Sequence, residues 1–297
     1  YTNYTMSFID NLSITKQDHS MKFGVEIRPI RMYTDRLGGT TYTFPSVTAL
    51  MNNQPTNVQV LSDVSAPNPL HNGIATNRFL KQSYYIAYAQ DEWRIRPNLT
   101  MNYGLRYEYY SPMHEDQNLY TLYVVGQGRT TGDWYKSSKT NFGPRLAFTW
   151  SPERFNNKTV FRAGAGYYYG PGQTEDQVQP IDSDRVSVTL TNAVFPVNSQ
   201  SIINSVTGIP PNFQPRAYAP GYQLPEKILS YTASVQQQLP AGTVLTVAYV
   251  GSQGRNLFLR SWANGIIGVT TNPTTGVGTP VLEDSRFAQL DYKTSGG

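Results

Sequence analysis

Several stretches of this 297-residue sequence hold residue types that could do chemistry. Met113-His114-Glu115-Asp116 sets an imidazole beside two carboxylates, the donor types of a metal site. A solvated loop tip explains the same residues more simply. Glu175-Asp176 and Asp182-Ser183-Asp184 offer oxygen ligands of the kind Ca²⁺ takes, but in no EF-type spacing, and ordinary loop composition accounts for them. Gly164-Ala165-Gly166 ahead of Tyr167-Tyr168-Tyr169-Gly170 imitates a phosphate-cradling loop, yet no helix is predicted to follow and hold the anion. Glycines at alternate positions of a strand leave room for a bulky neighbour instead. His19, His71 and His114 fall in turns or loops, none beside both a serine and a carboxylate. The expectation is therefore no enzyme activity, no metal and no cofactor.

Composition narrows what could position such residues. Charged residues make up 15% and hydrophobic ones 39%, with 22 tyrosines, 12 phenylalanines, 24 glycines and 20 prolines. That mixture favours strands joined by turns. Lysines and arginines are scattered and the net charge is only +4, so no nucleic-acid surface is expected. The absence of cysteine removes disulfides and thiolate ligands together. Mean hydropathy is −0.44. No apolar run approaches the roughly 18 residues of a membrane helix. A β-barrel remains open, because its strands alternate apolar and polar residues and average to neither. The opening YTNYTMSFID shows no signal peptide, and the sequence reads as an excerpt, residues 1–297 being one partial barrel domain.

The strand pattern is explicit in LTMNYGLRYEYY. Leu99, Met101, Tyr103, Leu105, Tyr107 and Tyr109 alternate with Thr100, Asn102, Gly104, Arg106, Glu108 and Tyr110. One set carries no charge, so a one-residue slip would carry Arg106 and Glu108 to the apolar side. Met21, Phe23, Val25 and Ile27 alternate in the same way with Lys22, Gly24, Glu26 and Arg28. Tyr4, Met6, Phe8, Leu12 and Ile14 form a further apolar line, interrupted by Asp10. Short polar turns join these strands into hairpins: Lys16 to Ser20, Arg96-Pro97-Asn98, Ser151 to Lys158, and Pro240-Ala241-Gly242. Four hairpins give about eight strands, and a ninth is expected near Phe287.

Between hairpins the connections are long: Thr34 to Arg78, Ser111 to Thr140, Gly170 to Glu226 and Gly251 to Arg286. Short and long alternate throughout, which is the pattern of short periplasmic turns and long extracellular loops. A short helix capped by Ser46 is expected at SVTALMN. The fold class read from this is all-β, an antiparallel transmembrane β-barrel segment. Lys22, Glu26, Arg28, Glu92, Arg94, Arg106, Glu108, Arg145 and Arg162 are assigned to the lumen. Tyr84, Ile86, Tyr88, Gln90, Glu92 and Arg94 share a face that is also assigned there, with Trp93 and Ile95 outside. Trp93, Tyr107, Tyr109, Tyr110, Trp150, Tyr167, Tyr168 and Tyr169 sit toward strand ends and are expected to form aromatic girdles.

YAQDEWRIRPNLTMNYGLRYEYYSP, from Tyr88 to Pro112, resembles the barrel hairpin of TonB-dependent receptors. DNLSITKQDHSMKFGVEIRP, NFGPRLAFTWSP and QQQLPAGTVLTVAYVGSQGRNLFL resemble the Oar-like subgroup, whose members carry a carboxypeptidase-regulatory-like domain. The resemblance spans all four hairpins. It implies a barrel of about 22 strands around a plug, embedded in outer-membrane lipid. It further implies coupling to the TonB complex through segments outside this sequence, and an unidentified solute, a siderophore, oligosaccharide or peptide, met at the extracellular loops. A passive porin-like channel and an adhesive or structural protein anchored by a barrel are the alternatives.

Overall fold

A computed structural model describes residues 2–34, 40–62, 78–116, 121–124, 128–131, 135–172, 184–189, 194–198, 201, 213–214, 216–219, 221–283 and 290–296. His71, Glu175-Asp176, Asp182-Ser183, Phe287 and parts of the two longest predicted loops lie outside these residues. The wall consists of β1 (Thr2–Thr5), β2 (Phe8–Lys16), β3 (His19–Thr34), β4 (Arg78–Arg96), β5 (Leu99–Tyr110), β6 (Phe142–Trp150), β7 (Thr159–Gly170), β8 (Glu226–Gln238) and β9 (Val244–Arg255). β1 and β2 lie on one line against β3, since Thr5 pairs with Ile30 and Phe8 with Ile27 in a single register. The ladder breaks between them opposite Pro29, whose nitrogen has no hydrogen to donate. The Met6 N–H still reaches the Pro29 carbonyl at 3.2 Å.

From β3 to β9 every strand pairs antiparallel with its successor in the chain. The four hairpins anticipated from sequence are all present, and the first three long connections also join neighbours. The result is an antiparallel β-barrel segment, open at both edges among the described residues. Lys16 pairs with His19, so the first turn is only Gln17-Asp18, tighter than the five residues expected. Gln17 takes a φ of 53° there. Arg96 pairs with Leu99 across Pro97-Asn98, where the proline ring presets the turn dihedral. A 3₁₀ turn, Glu153–Phe155, is followed by Asn156 and Asn157 at φ of 50° and 56°, a region asparagine tolerates. At the loop end the expected helix is found as Val47–Met51, with the Ala49 N–H donating to Ser46 Oγ at 3.1 Å.

Two expectations need correction. The strand near Phe287 exists as Leu290–Gly296, but it is not a neighbour of β9 in the wall. It pairs antiparallel with Leu257–Ala263 and parallel with Arg216–Tyr218, beyond the loop end of the wall. The fourth long connection begins after Arg255 and not at Gly251, because Gly251 to Arg255 remain paired with β8.

Pleating sends alternate side chains to opposite faces. On one face Leu12 pairs with Phe23, Phe23 with Ala89, Ala89 with Leu105, and Leu105 with Pro144. Among the described residues no second layer covers this face, so Phe8, Leu146 and Val247 stay 62%, 50% and 64% exposed. A water-soluble sheet of this size would bury such a surface. Asp10 and Asp91 are the acids on it. Asp91 is buried, accepting hydrogen bonds from the Tyr103 hydroxyl at 2.8 Å and holding His19 Nδ1 at 2.6 Å. The same imidazole stacks on Trp93.

Candidate functional site

The other face collects the charge. Across its middle runs one continuous cross-strand row: Ser13, Lys22, Gln90, Gly104, Arg145, Gly166, Ser230 and Ser252. Toward the turns the next row holds Ser20, Glu92, Asn102, Ala147, Gly164 and Thr232. Toward the loops Gly24 pairs with Tyr88, Tyr88 with Arg106, and Arg106 with Gly143. This face is concave, and a cavity of about 810 Å³ reaches from Ser13 on β2 to Val250 on β9. Glycine makes part of the room. A Cβ at Gly166 would meet Arg145 Cγ at 2.8 Å, and one at Gly24 would meet the Tyr88 ring at 2.5 Å.

All the residues assigned to the lumen from sequence share this face, as do Tyr84, Ile86, Tyr88 and Gln90. Several neutralise one another. Arg28 Nε donates to Glu26 Oε1 at 2.8 Å, Arg106 pairs with Glu108, and Arg94 lies 3.8 Å from Glu92. Arg162 donates to Gln236 Oε1 at 2.7 Å. Lys22 and Arg145 have no ion-pair partner among the described residues. The Arg145 guanidinium lies 4.3 Å from the centre of the Tyr168 ring, and its Nε is buried without an acceptor.

Toward the loops the polar face is covered. Met32 and Leu80 pack with Met113, Tyr135, Tyr218, Tyr222 and Leu224 in a buried cluster, with Phe258 at its edge. Tyr218 and Tyr222 stack at 5.6 Å, and Tyr135 meets both rings edge-on. The Met113 N–H donates to the Tyr135 hydroxyl at 2.9 Å. Burial holds the Tyr135 hydroxyl in its neutral form, far above the usual phenol range. Asn141 Nδ2 donates to the Glu108 and Ser138 carbonyls, fixing the chain where β6 begins.

The expected girdle residues divide. Trp93 and Trp150 lie on the apolar face near the turns, Trp93 opposite Met101 and Trp150 opposite Leu99. Tyr107, Tyr109, Tyr167 and Tyr169 lie on it near the loops, Tyr109 opposite Tyr85 and Tyr167 opposite Leu229. Tyr110 does not belong with them. It sits on the polar face, 4% exposed, edge-on to Tyr84 and donating to Glu108. Tyr168 is likewise on the polar face, in phase with Arg162, Gly164 and Gly166. Both could have been placed by the alternation of their own strands.

His114-Glu115-Asp116 is not a solvated tip either. His114 and Glu115 bridge to Lys81 and Leu80, Glu115 accepts the Phe79 N–H, and Asp116 pairs with Lys81 at 2.7 Å. Gly164-Ala165-Gly166 continues as strand, with Gly164 opposite Ala147 and Gly166 opposite Arg145. Sequence reasoning missed the tyrosine cluster of the loops, whose members are far apart in the chain and follow no period.

A family model described as an outer membrane beta barrel domain matches residues 1–296. No curated protein matches the chain.

Proposed function

The chain belongs to the outer membrane beta barrel family and lies in the outer membrane of a Gram-negative bacterium, and from that premise we propose that it walls a TonB-coupled transporter. The apolar face then meets lipid and the charged trough lines the lumen. The short turns face the periplasm and the long loops the outside. Leu99 to Tyr109 covers about 33 Å of strand, which at a tilt of ~40° rises to the ~25 Å of an outer-membrane apolar band. Trp93 and Trp150 at one level and Tyr107, Tyr109, Tyr167 and Tyr169 at the other act as its two aromatic girdles.

The observation that carries the reading is the tyrosine cluster over the loop end of the polar face. A passive channel works with that end open, whereas an energised receptor keeps its path shut until driven. The solute is a siderophore, oligosaccharide or peptide, as the resemblance to Oar-like receptors suggests. The test is conductance of the intact protein in planar bilayers, together with co-purification on the periplasmic domain of TonB. We expect electrically silent membranes and retention on TonB. A steady ohmic conductance without retention would replace this reading with a passive channel.

A further inference from the structure

We propose that Arg145 and Tyr168 form a subsite in the trough for a small hydroxylated carboxylate solute. The inference rests on the charged face being the lumen, and names the chemistry that face selects. Arg145 is flanked in its row by Gly104 and Gly166, and no acid lies on the adjoining strands beside it. Among the other cations of this face Arg28, Arg94 and Arg106 each have a glutamate within reach, Arg162 has only the neutral Gln236, and Lys22 has no ion-pair partner among the described residues. The Arg145 Nε is out of water and without an acceptor among the described residues, so a carboxylate meets the guanidinium at its terminal nitrogens, whose charge no acid neutralises. The Tyr168 ring holds one side of the guanidinium plane. Its edge is the part that recognises a carboxylate through two parallel N–H···O bonds.

The rest of the ligand is specified by what surrounds Arg145. Ser13, Gln90 and Ser230 share its row and line the cavity, so hydroxyls and an amide meet the solute where an apolar pocket would offer aliphatic groups. The cavity of about 810 Å³ lies in the range that takes a compact solute. Lys22, two strands beyond Gly104 in the same row and without an acid, adds positive potential without a planar fork.

The experiment is isothermal titration of the intact protein in detergent with D-glucuronate, and with D-glucose as its uncharged counterpart. No energy source or TonB is present, so failure here leaves the transport reading untouched, and a silent or conducting bilayer leaves this one untouched. Glucuronate binds about 10-fold tighter than glucose or better, the scale of a charge-assisted paired hydrogen bond. Arg145→Gln abolishes the difference, Arg145→Lys retains part of it, and Lys158→Gln, a charge removed on a short turn, leaves it intact. Heat-modifiable migration on gels verifies that each variant is folded. Equal binding of the two sugars by the unaltered protein, or no heat from glucuronate, overturns the proposal without any variant. So does glucuronate binding that survives Arg145→Gln.

Discussion

The two faces of the wall are built by the same strands, yet one is bare and the other is partly roofed. On the bare face Phe8, Leu146 and Val247 keep half or more of their surface exposed, because none of the described residues packs over them. On the roofed face Leu80, Tyr84, Ile86 and Tyr110 are buried at the loop end, although their strands are no more apolar there. Burial in this protein follows what covers a face, not how hydrophobic it is. On the proposed reading lipid solvates the first face, and folded-in loops exclude water from the end of the second.

Both faces use one device in opposite surroundings. Tyr88 lies over Gly24 on the polar face and Tyr231 over Gly251 on the apolar face, each ring taking the space a Cβ would need. An aromatic covering a glycine on the adjacent strand pins register wherever the glycine's own face is empty. Tyr88 also donates to Asn11 one strand further on, so on the polar side the ring links three strands.

Removing the roof should have the largest effect. Tyr135→Ala deletes a buried ring from the loop cluster and should cost about 3–5 kcal/mol locally. Loss of hydrogen-exchange protection at the Met113 amide measures it, with the wall strands unaffected. Next comes a charge placed on one face or the other of the same strand. Leu105→Arg should cost about 2–4 kcal/mol in urea titrations of the protein in lipid vesicles, while Asn102→Arg costs under about 0.5 kcal/mol. Equal penalties at the two sites would erase the distinction between the faces. Smaller still are Gly24→Ala and Gly251→Ala, each expected to lose about 1–3 kcal/mol as the covering tyrosine is displaced. Apart from the Asn102→Arg control, the smallest is Tyr135→Phe, which keeps the ring and loses only the bond from Met113, about 0.5–1.5 kcal/mol by the same exchange measurement.

The polar face shows how far alternation alone can be read. Arg106, Glu108 and Tyr110 are in phase, so the position of Tyr110 was already implied by the residues beside it, and grouping it with the girdle followed its type over its parity. Asp91 and Glu92 are consecutive, which obliges one acid to face the apolar side. What makes that tolerable is invisible along the chain: His19 arrives from β3 and Tyr103 from β5 to bind the Asp91 carboxylate. The strand at Leu290–Gly296 was detectable as a strand, but its partner was not. Pairing depends on which edge lies within reach on the chain's return, and Leu290–Gly296 lies between Leu257–Ala263 and Arg216–Tyr218.

By itself the sequence determined the strands, the hairpins and the side of the sheet each residue takes, since these follow from a period of two and from turn residues a few positions apart. Tertiary structure alone decided which cations remain unpaired and which tyrosines gather at the loop end. Arg145 has no ion-pair partner among the described residues because glycines flank it on both neighbouring strands, and only the Tyr168 ring meets its guanidinium. Tyr135, Tyr218 and Tyr222 come together through chain closure over long loops. Contacts of that kind depend on where strands meet in space, and no local pattern of residues encodes it.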